Sequence, residues 1–201
     1  DQTETDPTTT PEDGDGDEAS PTTADDAEPS PTDEVATEDP ADDDAPEFMP
    51  ADEDAEEPAA AHTGEQQDDP ADTQEITDVE ITAHEGFDRV ELHLTGDEVE
   101  LGWLASFEDE AREAGSGMPI EVEGEAVLLV GINGIDWTAE SAQRYDGTTV
   151  DGDDTDVITE VVFGTLFEGQ QDLYVGVSER APYRIHAVDD PARILIDVEH
   201  P

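Results

Sequence analysis

The chain has 201 residues and sets 59 aspartates and glutamates against six basic residues, all of them arginine, for a formal net charge of −53 at pH 7. Such a composition lacks the clustered Lys and Arg that release counterions from phosphate, which excludes nucleic acid and disfavours anionic lipid headgroups as partners. There is no cysteine, hence no disulfide, thiolate metal site or cysteine nucleophile, and no stretch approaches the roughly 18 apolar residues of a membrane-spanning helix.

Composition changes abruptly near Glu75. Residues 1–75 hold 29 of the acids, no basic residue, 10 of the 14 prolines and a single aromatic, Phe48. Burial there cannot offset a backbone ordering cost of about 1–2 kcal/mol per residue, so the segment is predicted to be a disordered acidic tether rich in Pro, Thr, Asp and Glu. As a coil it would reach at least roughly 50 Å, farther with self-repulsion. A leader of this kind, starting at Asp1, commonly follows an export signal. The expectation is an extracytoplasmic protein, secreted or held by a lipid anchor upstream of Asp1, with no membrane insertion by this chain. Asp13, Asp15 and Asp17 have the spacing that opens a calcium loop, but Glu18 stands where its glycine belongs and Ala24 where its final Glu belongs. Abundant carboxylate without any lysine points to adaptation to high salt, where a Debye length of about 3 Å at 1 M screens the −24 left to residues 76–201.

From Ile76 the pattern has period two. In Phe87–Thr95, Val90, Leu92 and Leu94 alternate with Arg89, Glu91, His93 and Thr95, as a half-buried antiparallel strand requires. Further strands are predicted near 76–82, 101–107, 126–132, 157–163, 171–177, 183–188 and 193–199, separated by turns bearing Gly, Pro and Asp. About eight strands on one core imply an all-β fold over 76–201, a small sandwich or partly closed barrel. Phe107–Ala114 is the one helical candidate, with a Glu108 to Arg112 spacing of i,i+4 and Gly115 to end it. Residues 133–156 read as a long polar insertion between strands.

These residues carry a resemblance. Asp190-Pro-Ala-Arg-Ile-Leu-Ile-Asp197-Val resembles the closing strand of AMIN domains, and Gly86-Phe-Asp-Arg-Val90, Gly115-Ser-Gly117, Phe167-Glu-Gly169, Tyr174-Val-Gly176 and Pro182-Tyr-Arg-Ile185 extend the likeness to the AMIN-like domain of exported actinobacterial lipoproteins. The resemblance implies a noncatalytic β domain of the cell envelope that contacts peptidoglycan or another wall glycan. A docking module for an exported protein, pairing through a sheet edge, is the alternative. A wall-glycan hydrolase is a remote one.

No catalytic constellation emerges. Gly115-Ser-Gly117 lacks the longer nucleophile-elbow pattern. His84, His93, His186 and His200 are scattered without metal-ligand spacing, and carboxylates are too abundant for a glycosidase dyad to stand out. Asp151-Gly-Asp-Asp-Thr-Asp156 lacks a calcium loop's glycine and final Glu and reads as a weak, nonspecific cation binder. No cofactor and no specific metal site are expected. The scarce arginines carry more information. Arg89, Arg184 and Arg193 lie in the resembling motifs and can fork onto a peptide-stem carboxylate or, internally, pair Arg89 or Arg193 with Asp197. With Tyr183 beside Arg184 and Trp137 in the polar insertion, the ligand-binding candidates are Arg184, Tyr183, Trp137, Arg89 and Arg193.

Overall fold

Alternation of apolar side chains builds two antiparallel sheets that face each other across one core. The computed structural model describes residues 45–57, 73–139 and 144–201. Among the described residues ten strands run in chain order: β1 (Ala55–Glu57), β2 (Ile76–His84), β3 (Phe87–Leu94), β4 (Gly102–Glu108), β5 (Ala126–Asn133), β6 (Thr149–Asp151), β7 (Ile158–Phe163), β8 (Gln170–Val177), β9 (Tyr183–Val188) and β10 (Arg193–Glu199). One sheet has the order β1-β4-β5-β8-β7-β6 and the other β2-β3-β10-β9. The fold is therefore an open sandwich and not a closed barrel. All eight strands expected from the sequence are present within a residue or two.

The core takes Val90, Leu92, Ile194 and Ile196 from the four-stranded sheet and Leu128, Val130, Leu173 and Val175 from the other, all fully buried. Burying a side chain of this size contributes about 1.5–3 kcal/mol. Turns at glycines set the register. Glu168 (φ 49°) and Gly169 (φ 80°) both lie in the left-handed region, forming a two-residue turn that Phe167 and Gln170 close with reciprocal backbone bonds of 3.0 and 2.9 Å.

Three expectations change. Among the described residues there is no helix, and the Phe107–Ala114 candidate instead ends β4 and enters a flap. Arg112 bridges Pro119, Ile120 N–H donates to Ala111 O, and Arg112 pairs with Glu110 rather than Glu108. An isolated helix of eight residues is marginal, whereas the flap lets Ala111, Ile120 and Val122 cover Val127, Val162 and Tyr174 on the outer face of the six-stranded sheet. Secondly, the 133–156 insertion is partly regular. It contributes the edge strand β6, and Tyr145 packs on Phe163 with ring centroids 5.0 Å apart.

Thirdly, packing reaches further back than the change in composition at 75/76. Residues 45–57 form a strap across one side of the sandwich. Met49 exchanges backbone hydrogen bonds of 2.7 and 3.0 Å with Tyr183 at the β9 edge, and Ala55–Glu57 pair with Ala105–Trp103 at the β4 edge. The expectation of a disordered tether falls, for residues 1–44 and 58–72, outside the described residues.

Candidate functional site

Register brings the motif arginines onto one face. On the outer side of the four-stranded sheet Arg89, Asp197 and Arg184 are cross-strand partners on β3, β10 and β9. Arg89 Nε and Nη2 donate to the two Asp197 carboxylate oxygens at 2.6 and 2.9 Å, and Arg184 Nε donates to Asp197 Oδ2 at 2.7 Å. Arg89 and Asp197 have no solvent exposure. The internal pair foreseen for Arg89 thus exists, with Arg184 as a second guanidinium on the same carboxylate. Arg193 does not join it. It pairs with Glu91 at 2.8 Å, because on β10 it stands opposite His93, with Leu195 between it and Asp197 on the same face.

Tyr183 alternates to the opposite face and is fully buried. Its hydroxyl accepts from Ala55 N–H at 3.1 Å and donates to Glu53 O at 2.8 Å, with Ala105 O a further acceptor at 3.3 Å. It is thereby wedged between β1 and β4. Burial raises the phenol above its ordinary range, the Ala55 amide opposing. Arg184 lies over the Phe48 ring at 4.5 Å. These residues therefore hold the strap to the sandwich.

A second node sits where β3 begins. Asp88, fully buried on the inner side, accepts from Val157 and Ile158 N–H at 2.5 and 2.9 Å and binds His200 Nε2 at 2.8 Å. Burial alone would raise its carboxyl, but the two amides and the imidazole together hold it below the usual value. Asp88, Asp156 and His200 place potential ligand atoms within 4.8 Å of one another. Both Asp88 oxygens are already engaged, so the cluster reads as a tie between the C-terminus and the β7 entry.

Trp137 lies elsewhere. It is 59% exposed and stands against Gly169, while Phe167 on the same turn is 67% exposed. None of the described contacts joins Trp137 to Arg184 or Tyr183. Beside this turn a groove of about 360 Å³ opens on the outer face of the six-stranded sheet, reaching from the strap to β8. Its floor is Leu104 and Leu129, and its polar groups are Asp54, Ser106, Asn133, Gln170 and Asp172. Gln170 Nε2 donates to Asp172 Oδ1 at 2.8 Å, which fixes both side chains. No arginine or histidine lines it. The larger cleft, about 660 Å³ under the flap, is walled by Asp109, Glu110, Glu121, Glu123, Glu125 and Glu160, a concentration of carboxylate that repels any anionic polymer.

The sequence offered no signal for the groove, which is assembled from the outward positions of three strands. It did carry a signal for the strap: Phe48-Met49 is an aromatic–methionine pair between Pro46 and Pro50 in an otherwise polar leader.

The architecture defines a small antiparallel sandwich whose motif arginines are engaged internally and whose open polar groove lies on the opposite sheet. The profile of the AMIN-like domain family matches residues 74–200, and the chain belongs to that family. Neither the search of curated proteins nor the search of solved structures returned a match. Domains of this family occur in exported cell-envelope proteins and are generally binding or docking modules rather than catalysts. The matched range excludes the strap.

Proposed function

We propose that this protein is a noncatalytic cell-envelope module that contacts the neutral glycan of the wall through the β4-β5-β8 groove and the adjoining Trp137, with the acidic leader acting as a tether. The observation that carries the reading is the groove's chemistry. Amide, hydroxyl and carboxylate groups over an apolar floor suit sugar hydroxyls, and the exposed indole of Trp137, which stands against Gly169, the residue before Gln170, offers a face for a pyranose ring. A neutral polysaccharide meets no repulsion from a domain of net charge −24, whereas anionic wall polymers do. Because recognition of this kind needs no net charge, it persists in molar salt.

The arginine face serves this function indirectly, by holding the fold. The alternative of sheet-edge docking loses one acceptor, since β1 already fills the β4 edge. The test is sedimentation with purified peptidoglycan in molar KCl. Trp137→Ala and Gln170→Ala should each weaken binding about tenfold or more, the loss of one good anchoring contact, with melting temperatures near the parent. Unchanged binding in both variants rejects the groove. Turnover of wall fragments would replace the binding reading with hydrolysis.

A further inference from the structure

We infer that the strap is a salt-dependent wall of this groove, so that docking of residues 45–57 sets the affinity for neutral glycan. The inference rests on the groove being the glycan surface. One wall belongs to the strap, through Asp54 and Ala55, and the facing wall to β8, through Gln170 and Asp172. With the strap in place a sugar chain lies between two walls. Without it, the floor ends at the bare edge of β4 and the ligand loses one side.

Two opposed sets of forces act on the strap. Holding it are short-range contacts: three register pairs with β4, the Met49–Tyr183 bridge, the wedged Tyr183 hydroxyl, and the Phe48 ring beneath the Arg184 guanidinium with Phe87 at 6.1 Å. Opposing them is charge. Residues 45–57 carry six carboxylates, from Glu47, Asp52, Glu53, Asp54, Glu56 and Glu57, and no cation, against a domain of net −24. Apolar contacts and hydrogen bonds change little with ionic strength, while repulsion at a distance is screened as the Debye length contracts from about 30 Å at 0.01 M to about 3 Å at 1 M. Lowering salt therefore raises only the opposing set. The strap, with three paired residues on one edge and one bridge on the other, yields before the sandwich does. Apparent affinity is then the intrinsic affinity scaled by the docked fraction.

The experiment uses the full chain and chitohexaose, a neutral β-1,4-linked N-acetylglucosamine hexamer, titrated calorimetrically across a KCl series. Hydrogen exchange by mass spectrometry follows residues 45–57 and the strands separately. As salt falls, the parent should lose affinity about tenfold when the docked fraction drops to about a tenth, with rising exchange in 45–57 and protected strands. Phe48→Ala, an anchor remote from the groove, should move that loss to higher salt. Glu47→Gln/Asp52→Asn/Glu53→Gln, at three strap positions outside the groove lining, halves the strap's charge and should move the loss to lower salt while leaving affinity in molar salt unchanged.

Exchange of 45–57 rising without a change in affinity overturns the inference, as does a charge-reduced strap with the parent's salt dependence. Simultaneous loss of protection in strap and strands also overturns it, for then no separate release exists. Binding that survives both Trp137→Ala and Gln170→Ala in molar salt, or no chitohexaose binding at all, removes the glycan reading itself. Binding lost in those variants but indifferent to Phe48→Ala and to the loss of strap charge removes the strap inference alone.

Discussion

Replacing Asp197 by Asn should be among the most damaging single changes in the sandwich. The substitution preserves volume and leaves one carbonyl acceptor, but it removes the charge that three guanidinium N–H groups share at 2.6, 2.9 and 2.7 Å. Arg89 is fully buried and cannot turn to water, whereas the Arg184 side chain keeps 12% exposure and can. The cost is thus chiefly one stranded, buried guanidinium, about 3–5 kcal/mol. For a chain of this size each kcal/mol moves the midpoint by about 2–4 °C, so the variant should melt about 6–20 °C below the parent. Thermal circular dichroism in about 2 M KCl, where surface charge is screened, isolates the effect. Glu91→Gln, which releases the partly exposed Arg193, is the control and should cost at most about 1 kcal/mol. The double variant Arg89→Met/Asp197→Leu should recover most of the loss, because a buried pair exchanged for apolar side chains is often neutral. An Asp197→Asn midpoint within about 3 °C of the parent, equivalent to about 1 kcal/mol, would refute the reasoning.

Arg184→Ala should cost about 1–3 kcal/mol, the worth of a hydrogen bond to a charged group, and leave peptidoglycan sedimentation in molar salt unchanged. Gly176→Ala places a Cβ against Glu123 O and within 2.6 Å of Thr159 Oγ1. It should lift the flap, costing about 1–3 kcal/mol and speeding exchange across 111–125. The melting midpoint of the parent should climb steeply from about 0.05 to about 3 M KCl as repulsion is screened; a flat curve removes the high-salt reading. Stability should also bracket in pH. Asp88 is held below 3.8 in the fold, so its contribution is present above that value and lost as pH falls through the folded value. Tyr174, buried beside Asp172 and Glu113, is pushed up to about 12 from 10.0, so stability declines as pH rises from 10.0 through about 12 while only the unfolded chain ionises. Asp88→Asn should flatten the acid limb in urea titrations.

Strands were legible because one face of each meets a single core. Val90, Leu92 and Leu94 announce β3 by alternation alone. β6 was not, since Thr149, Val150 and Asp151 carry no alternation and form a strand only by adding to β7. The helix expected at Phe107–Ala114 failed for a related reason. Its spacing of charges is a local preference, and burial of Ala111 against Val127 and Tyr174 on a distant part of the chain overrides it. At the candidate site, chemical type was readable and placement was not. Asp197 was a foreseeable partner for Arg89, yet alternation decides that Tyr183 points inward while Arg184 points outward, and so separates two side chains that adjoin in sequence. Phe48 was visible as an isolated aromatic. That it seats on Arg184 depends on strands more than a hundred residues away.

The position of the Tyr183 hydroxyl between β1 and β4 bears on solubility. A sandwich with open sheets exposes rows of unpaired amides and carbonyls that invite another molecule to add a strand. Surface charge is one common deterrent. In molar salt that deterrent is screened, and an acidic surface cannot keep two edges apart. Here the strap crosses the β9 and β4 edges on the same side of the molecule, and a phenol fastens it from within the core. In molar salt, where the strap is docked and charge is screened, protection from edge-to-edge aggregation on that side is therefore steric, and Tyr183→Phe, which removes the hydroxyl that holds Ala55 and Glu53, should raise aggregation there.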